Sequence, residues 1–113
     1  MSRDIRIMRL VDENDPQRGI NITASYRMGG YNYFTGKDTR RGYAYDFSPT
    51  TQCGYGETYQ AFSGGYVMVE DAKRFSQKKM NELVNNFKLE DWEAAIASIA
   101  MKNNIKLTYP LVD

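Results

Sequence analysis

The apolar residues of this 113-residue chain change their spacing along its length. Early in the chain they alternate with polar residues at Ile20, Ile22, Ala24, Tyr26 and Met28. Because successive side chains of a strand point to opposite faces of a sheet, this alternation predicts a half-buried β-strand. After residue 75 the alternation is replaced by the spacing of a helix.

Two segments in this later part have the pattern of an amphipathic helix. The first places Met80, Leu83, Val84 and Phe87 on one face. The second places Trp92, Ala95, Ile96, Ile99 and Ala100 on one face. Strands followed by helices predict an α+β fold, with an antiparallel sheet of about five strands and two C-terminal helices packed on one face.

Turn residues and β-branched runs indicate where the elements begin and end. We expect strands at residues 4–11, 20–28, 43–47, 58–62 and 66–70, and a short final strand at residues 105–109. Residues 35–42 are predicted to form a polar hairpin tip, residues 50–56 a loop, and residues 63–65 a hairpin turn. Ser76 or Asp71 is the expected cap of the first helix, and Asn103 with Asn104 is expected to end the second in a left-handed turn.

The apolar stripes of the strand and the two helices can be buried only against one another in so small a domain. The predicted core therefore contains Ile20, Ile22, Ala24, Tyr26, Met80, Leu83, Val84, Phe87, Trp92, Ile96 and Ile99. We expect truncation of Leu83 or Ile96 to alanine to lower the free energy of unfolding by about 2–5 kcal/mol.

Length and composition indicate a single domain spanning residues 1–113. Apolar residues make up 42% of the chain and charged residues 26%, as in ordinary folded proteins. The net charge of +1 gives no overall attraction to polyanions. Since no apolar run approaches the roughly 20 residues of a membrane helix and the N-terminus lacks a hydrophobic signal segment, we expect a cytoplasmic protein without a membrane partner.

The residue types that most often carry catalysis and metal binding are scarce in this chain. It has no histidine and one cysteine, Cys53, which argues against a Ser-His or Cys-His nucleophile, a structural zinc site and an intramolecular disulfide. The glycines at positions 54, 56, 64 and 65 lack the spacing of a phosphate-binding loop. The sequence therefore predicts a protein that is not an enzyme and has no catalytic residues, metal site or cofactor.

Ten of the fifteen aromatic residues lie between Tyr26 and Phe62, interleaved with glycine and arginine. Such a composition suits a binding surface, although tyrosine and phenylalanine also fill small sheets. The predicted partner-binding residues, at and beside the hairpin tip, are Tyr31, Tyr33, Phe34, Lys37, Arg40 and Arg41. A secondary basic patch is predicted at Lys73, Arg74, Lys78 and Lys79, where cations at a helix start oppose the helix dipole.

Two other interpretations use the same aromatic residues. In one, the tyrosines of the sheet and loop stack on the bases of a single-stranded nucleic acid or a nucleotide while arginines and lysines contact phosphates. In the other, exposed aromatic residues are covered in a homodimer formed through the sheet edge or the C-terminal helices.

Several short motifs resemble those of small phage and mobile-element proteins. They are NYFTGK at residues 32–37, RGY at 41–43, SP at 48–49 and FSG at 62–64, and the similarity covers roughly residues 20–104. Small proteins of phages often bind and block host defence machinery, as anti-CRISPR proteins do. The resemblance therefore implies an inhibitor that binds a bacterial protein effector, such as a CRISPR nuclease complex, in the host bacterial cytosol.

Overall fold

The structure is a computed structural model that describes residues 3–32, 34, 36–52, 58–60 and 65–107. Its strands are β1 (Arg3–Val11), β2 (Arg18–Arg27), β3 (Gly30–Asn32), β4 (Lys37–Thr39), β5 (Gly42–Gln52), β6 (Thr58–Gln60) and β7 (Gly65–Asp71). Its helices are α1 (Gln77–Asn86) and α2 (Glu93–Lys102), and a short 3-10 helix (Leu89–Trp92) precedes α2. The fold is therefore α+β, as the order of the sequence patterns predicted.

The main sheet is antiparallel and has β5 at its centre. β1 pairs with β2 and β2 with β5, while β7 and β6 share the other edge of β5 at residues 42–47 and 50–52. The sheet is thus four strands wide, not about five, although five segments contribute to it. β3 and β4 pair with each other in a separate two-stranded sheet, which we call the hairpin.

One face of β2 and β5 is fully buried and apolar. The alternate residues Ile20, Ile22, Ala24 and Tyr26 of β2 stand opposite Pro49, Phe47, Tyr45 and Tyr43 of β5. Except for Tyr45, which is 6% exposed, the apolar members of these pairs are within 2% of complete burial. The alternation seen in the sequence is therefore the alternation between this core face and the opposite, polar face.

Contacts join the core face to both helices. The ring of Tyr45 lies edge-on to Phe87 and Trp92, with centroids 5.1 and 5.4 Å apart. Met80 of α1 and Ile96 of α2 belong to the same buried cluster. Every residue of the predicted core either lies in this cluster or packs against it, so the core prediction is confirmed.

Three tyrosine hydroxyls reach from the core face to the backbone around α1. Tyr26 donates to the carbonyl of Ala72 at 3.0 Å, and Tyr45 donates to the carbonyl of Leu83 at 2.7 Å. The hydroxyl of Tyr43 accepts from the backbone N–H of Ser76 at 2.8 Å. These bonds satisfy polar groups that burial would otherwise leave unpaired.

The strand predicted at residues 43–47 continues through Ser48 and Pro49 to Gln52, so the prediction that residues 50–52 are loop is wrong. Pro49 lies at the interruption between β7, whose pairing ends at Phe47, and β6, whose pairing begins at Thr50. A residue without an N–H is tolerated where a ladder is interrupted. Sequence alone could not show this interruption, since it depends on which strands flank β5.

Two expected connections also differ. β6 and β7 both pair with β5, so they are not the two arms of one hairpin, and residues 61–64 between them lie outside the described part of the chain. In place of a strand from residue 105, the described residues show an isolated bridge between Leu107 and Asp12. The caps are confirmed: Ser76 accepts from the N–H of Lys79 at 3.4 Å, and Asn104 is left-handed with φ 54°.

Asp12 ties the turn after β1 to the segment after α2. Its Oδ1 accepts from the N–H of Asn14 at 2.7 Å and its Oδ2 from the N–H of Lys106 at 3.3 Å. The hydrogen bond from Asn14 is the largest cause that lowers the pKa of Asp12 below its ordinary value. The Asp12 carboxylate is therefore one of several groups that join the N-terminal and C-terminal parts of the described chain, together with the N–H of Glu13, which donates to the carbonyl of Lys106 at 2.8 Å.

Candidate functional site

The aromatic-rich segment divides between two environments. Tyr26, Tyr43, Tyr45 and Phe47 belong to the core, whereas Phe34 is fully exposed, at 101% of its reference area. The rings of Tyr26, Tyr43 and Tyr45 face the helices and their hydroxyls are bonded to backbone, so these three sheet tyrosines are not exposed for stacking on bases. Among the predicted contact aromatics, Phe34 is the one whose side chain the structure describes.

The hairpin positions the other predicted contact residues through its backbone register. Tyr31 stands opposite Asp38, and Asn32 stands opposite Lys37, so Tyr31 and Lys37 lie in the arms that flank Phe34. Tyr33 lies outside the described residues. Gly29 and Gly36 have φ values of 73° and 69°, a conformation that glycine adopts without strain.

The base of the hairpin is held against the end of β7. The N–H of Ala72 donates to the carbonyl of Arg41 at 3.0 Å, and Arg40 Nε lies 2.8 Å from Asp71 Oδ1. At Gly42, with φ 154°, a Cβ would stand 2.1 Å from the carbonyl oxygen of Glu70. The chain can pass so close to β7 here because position 42 has no side chain.

These contacts place two cation-bearing segments next to each other, although about thirty residues separate them in the sequence. Arg40 and Arg41 come from the hairpin base, and the predicted basic patch begins one residue after Ala72. We call this combined set the basic surface; its members are Arg40, Arg41, Lys73, Arg74, Lys78 and Lys79. Five of them are exposed and Lys79 is half-buried.

Two members of the basic surface already have acidic neighbours. Arg40 pairs with Asp71, and Lys79 Nζ lies 3.0 Å from Glu70 Oε2. The hydrogen bond and the charge of Glu70 raise the pKa of Lys79 above its ordinary value. Since the cations outnumber these two carboxylates, the basic surface keeps a net positive charge. Exposed ion pairs contribute little stability, so the fold does not depend on these pairs.

Sequence reasoning missed a polar network on the opposite face of the main sheet. Arg9 of β1 donates to Asn21 Oδ1 of β2 at 2.9 Å, to the carbonyl of Gln17 at 2.9 Å and to Thr50 Oγ1 of β5. Burial, followed by the charge of Arg6, lowers the pKa of Arg9. The polar residues that alternate in β2 indicate this face in the sequence. They do not indicate that the guanidinium of Arg9 joins three strands.

A second feature of this polar face is a stacked pair. The guanidinium of Arg27 lies over the ring of Tyr66, 3.6 Å from its centroid, in the geometry of a cation–π interaction. Ser25, two residues earlier in β2, is 4% exposed, and its hydroxyl has no hydrogen-bond partner among the described residues. Several side chains of this polar face thus contact one another.

In the described part of the chain, no group of three or more His, Cys, Asp or Glu residues is placed to hold a metal ion. No helix there is long and apolar enough to cross a membrane. Cys53 lies outside the described residues.

Comparisons of the chain with family models, with curated proteins and with solved structures found no match. The function must therefore be argued from the surfaces themselves.

Proposed function

We propose that this chain is a non-enzymatic binding protein whose contact surface combines the tip of the hairpin with the basic surface. The observation that carries the proposal is the full exposure of Phe34, at 101%, in a segment whose other described aromatic side chains are buried. Aromatic residues and arginines are enriched at the energetic centres of protein interfaces. An exposed phenylalanine at the tip of a hairpin whose base carries Arg40 and Arg41 has that composition.

The contacts at the hairpin base support a surface that is ordered before it binds. The bond from Ala72 to Arg41 and the close passage of Gly42 against Glu70 hold the base of the hairpin to the main sheet. A surface held in its binding conformation loses less entropy when it binds than a mobile one. The hairpin and the cations after β7 can therefore meet one partner together.

The partner that this surface fits is a protein with an acidic patch next to an apolar pocket. The cations would accelerate association with an acidic surface, and Phe34 would fill the pocket. From the sequence resemblance, we propose that this partner is a bacterial defence component, such as a CRISPR nuclease complex, and that the chain is a phage or mobile-element inhibitor acting in the host bacterial cytosol.

Co-purification with candidate defence effectors tests this proposal, followed by affinity measurements on the effector that is retained. Phe34→Ala and Arg41→Glu should each weaken binding at least tenfold, a change of about 1.4 kcal/mol. Lys88→Glu is the matched control, since Lys88 is exposed between α1 and the 3-10 helix and lies outside the basic surface. Unchanged affinity in Phe34→Ala and Arg41→Glu, or retention of no effector, would reject the proposal.

The alternative function, binding of single-stranded nucleic acid or a nucleotide, is favoured by one observation, the joining of two cation groups into the basic surface. In this case Phe34 would stack on a base and the cations would contact phosphates. Titration of labelled oligonucleotides at two salt concentrations separates the two functions. Phosphate contacts would make the affinity for the oligonucleotide fall steeply as the salt concentration rises. A weak affinity that does not change with salt would reject this alternative and favour binding of a protein partner.

A further inference from the structure

β1 and β7, which lie at opposite edges of the main sheet, differ in what they expose. β1 carries Asp4, Arg6 and Arg9 along its length. β7 exposes Tyr66, Val67 and Val69, at 47%, 42% and 37%. Among the residues that the structure describes, no strand pairs with the outer edge of either. Charged side chains on an edge strand discourage pairing with another chain, and β7 has none between Gly65 and Val69.

The charges at the end of β7 do not oppose an incoming strand. Glu70 is paired with Lys79 at 3.0 Å, and Asp71 is paired with Arg40 at 2.8 Å. β7 also lacks proline. Its protective feature is a bulge, where the pairing shifts between Tyr43 and Ala44 of β5 and leaves Val69 as the extra residue. Because this bulge lies near one end, residues 65–68 keep a regular register with β5.

Residues 65–69 of β7, four of them in the regular part, complement themselves when two copies run antiparallel about Val67. In that register Tyr66 of one copy stands opposite Met68 of the other, an aromatic–thioether pair that is formed twice. Val67 stands opposite Val67, and Gly65 stands opposite Val69. A Cβ at Gly65 would meet nothing within 4 Å, so the exposed Val69 of the second copy has room there.

We propose that a second copy of this chain pairs with β7 in this register, so that the two main sheets form one continuous sheet across a two-fold axis. A second copy is the occupant that this strand itself supports, because residues 65–69 offer the self-complementary pattern that an isologous interface needs and Gly65 leaves room for Val69. The interface adds backbone hydrogen bonds to apolar contacts. It uses neither Phe34 nor Arg41, so it goes beyond the proposed function and does not depend on it.

Sedimentation or light scattering over a range of concentrations tests the association. The average mass should rise with concentration from 13.0 kDa toward twice that value. Val67→Lys should raise the dissociation constant at least tenfold, because two ammonium groups would meet on the axis. Val11→Lys is the matched control on the other outer strand, where Val11 is 40% exposed, and it should associate like the wild type. A constant mass of 13.0 kDa, or equal effects of the two variants, would overturn the proposal.

Cross-linking tests the register in a second way that does not depend on weakening the interface. A residue on a two-fold axis faces its own copy, and directly opposed strand residues have Cβ atoms about 4.5–5.5 Å apart. In a Cys53→Ser background, Val67→Cys should therefore form an inter-chain disulfide under mild oxidation, and Val11→Cys should not. Equal cross-linking of both variants, or none for Val67→Cys, would contradict the register.

Discussion

β5 and the hairpin come from the same aromatic-rich segment, yet their side chains occupy opposite environments. Tyr43, Tyr45 and Phe47 are at most 6% exposed, while Phe34, nine residues before Tyr43, is fully exposed. The difference follows from their neighbours. β5 has strands on both edges and helix side chains on one face, whereas β3 and β4 pair with each other. Aromatic composition by itself therefore does not distinguish buried from exposed side chains in this protein.

The largest expected effect compares one phenylalanine from each environment. Phe47→Ala should lower the free energy of unfolding by about 3–5 kcal/mol, because it removes a buried ring that packs against Trp92. Phe34→Ala should change it by less than about 0.5 kcal/mol. Urea unfolding of both variants measures this difference. Similar losses in the two variants would show that Phe34 contributes to a core, and the proposed contact surface would lose its main residue.

The next effect concerns the junction between the two environments. Gly42→Ala should lower the free energy of unfolding by about 1–3 kcal/mol or more, since position 42 has a positive φ and the new methyl group would collide with the backbone of Glu70. Gly65→Ala is the matched control, because open space surrounds that position. Gly42→Ala should also weaken partner binding if the hairpin base orders the proposed contact surface. Unchanged stability in Gly42→Ala would mean that this junction is not rigid.

A smaller effect tests the hydroxyls that fix the buried tyrosines. Tyr45→Phe should lower the free energy of unfolding by about 0.5–1.5 kcal/mol, because it removes the hydroxyl that donates to the partly buried carbonyl of Leu83. Burial raises the pKa of Tyr45 above its ordinary 10.0, so the hydroxyl contributes stability below pH 10 that is lost as the pH rises through the folded-state value. Between pH 8 and pH 11 the free energy of unfolding should therefore fall less steeply in Tyr45→Phe than in the wild type. Parallel pH profiles would exclude this contribution from Tyr45.

The smallest effect concerns a hydroxyl without a partner. Ser25→Ala should leave the free energy of unfolding unchanged or raise it slightly, within about 1 kcal/mol, because the hydroxyl of Ser25 is buried and unbonded among the described residues. The contrast with Tyr45→Phe separates hydroxyls that stabilise the fold from one that does not. A clear loss of stability in a thermal melt of Ser25→Ala would indicate a bond partner for this hydroxyl.

Periodicity predicted the elements best where one face is buried. The alternation at residues 20–28 and the helical stripes of α1 and α2 identified the core, including Ile22, Met80 and Ile96, because burial of one face imposes a period on the sequence. The pattern was least informative at Pro49 and at Leu107. There the structure depends on which strand lies alongside, and residue order does not carry that information.

The candidate site was predicted only in part. Phe34, Arg40 and Arg41 are exposed, which a contact surface requires, but the binding role of all six residues, including Tyr31, Tyr33 and Lys37, stays a prediction. The two cation groups were predicted separately. Their union depends on the bond between Ala72 and Arg41, which joins positions more than thirty residues apart.

By itself, the sequence determined the fold class, the core and the caps of the helices, because these depend on local periodicity and on backbone hydrogen bonding near each helix end. The tertiary structure decided which aromatic residues are buried, where the cations gather and which strands lie at the edges of the main sheet. These properties arise from contacts between residues that are distant in the chain. Their free energy depends on which surfaces meet, and so on the whole arrangement of strands around β5.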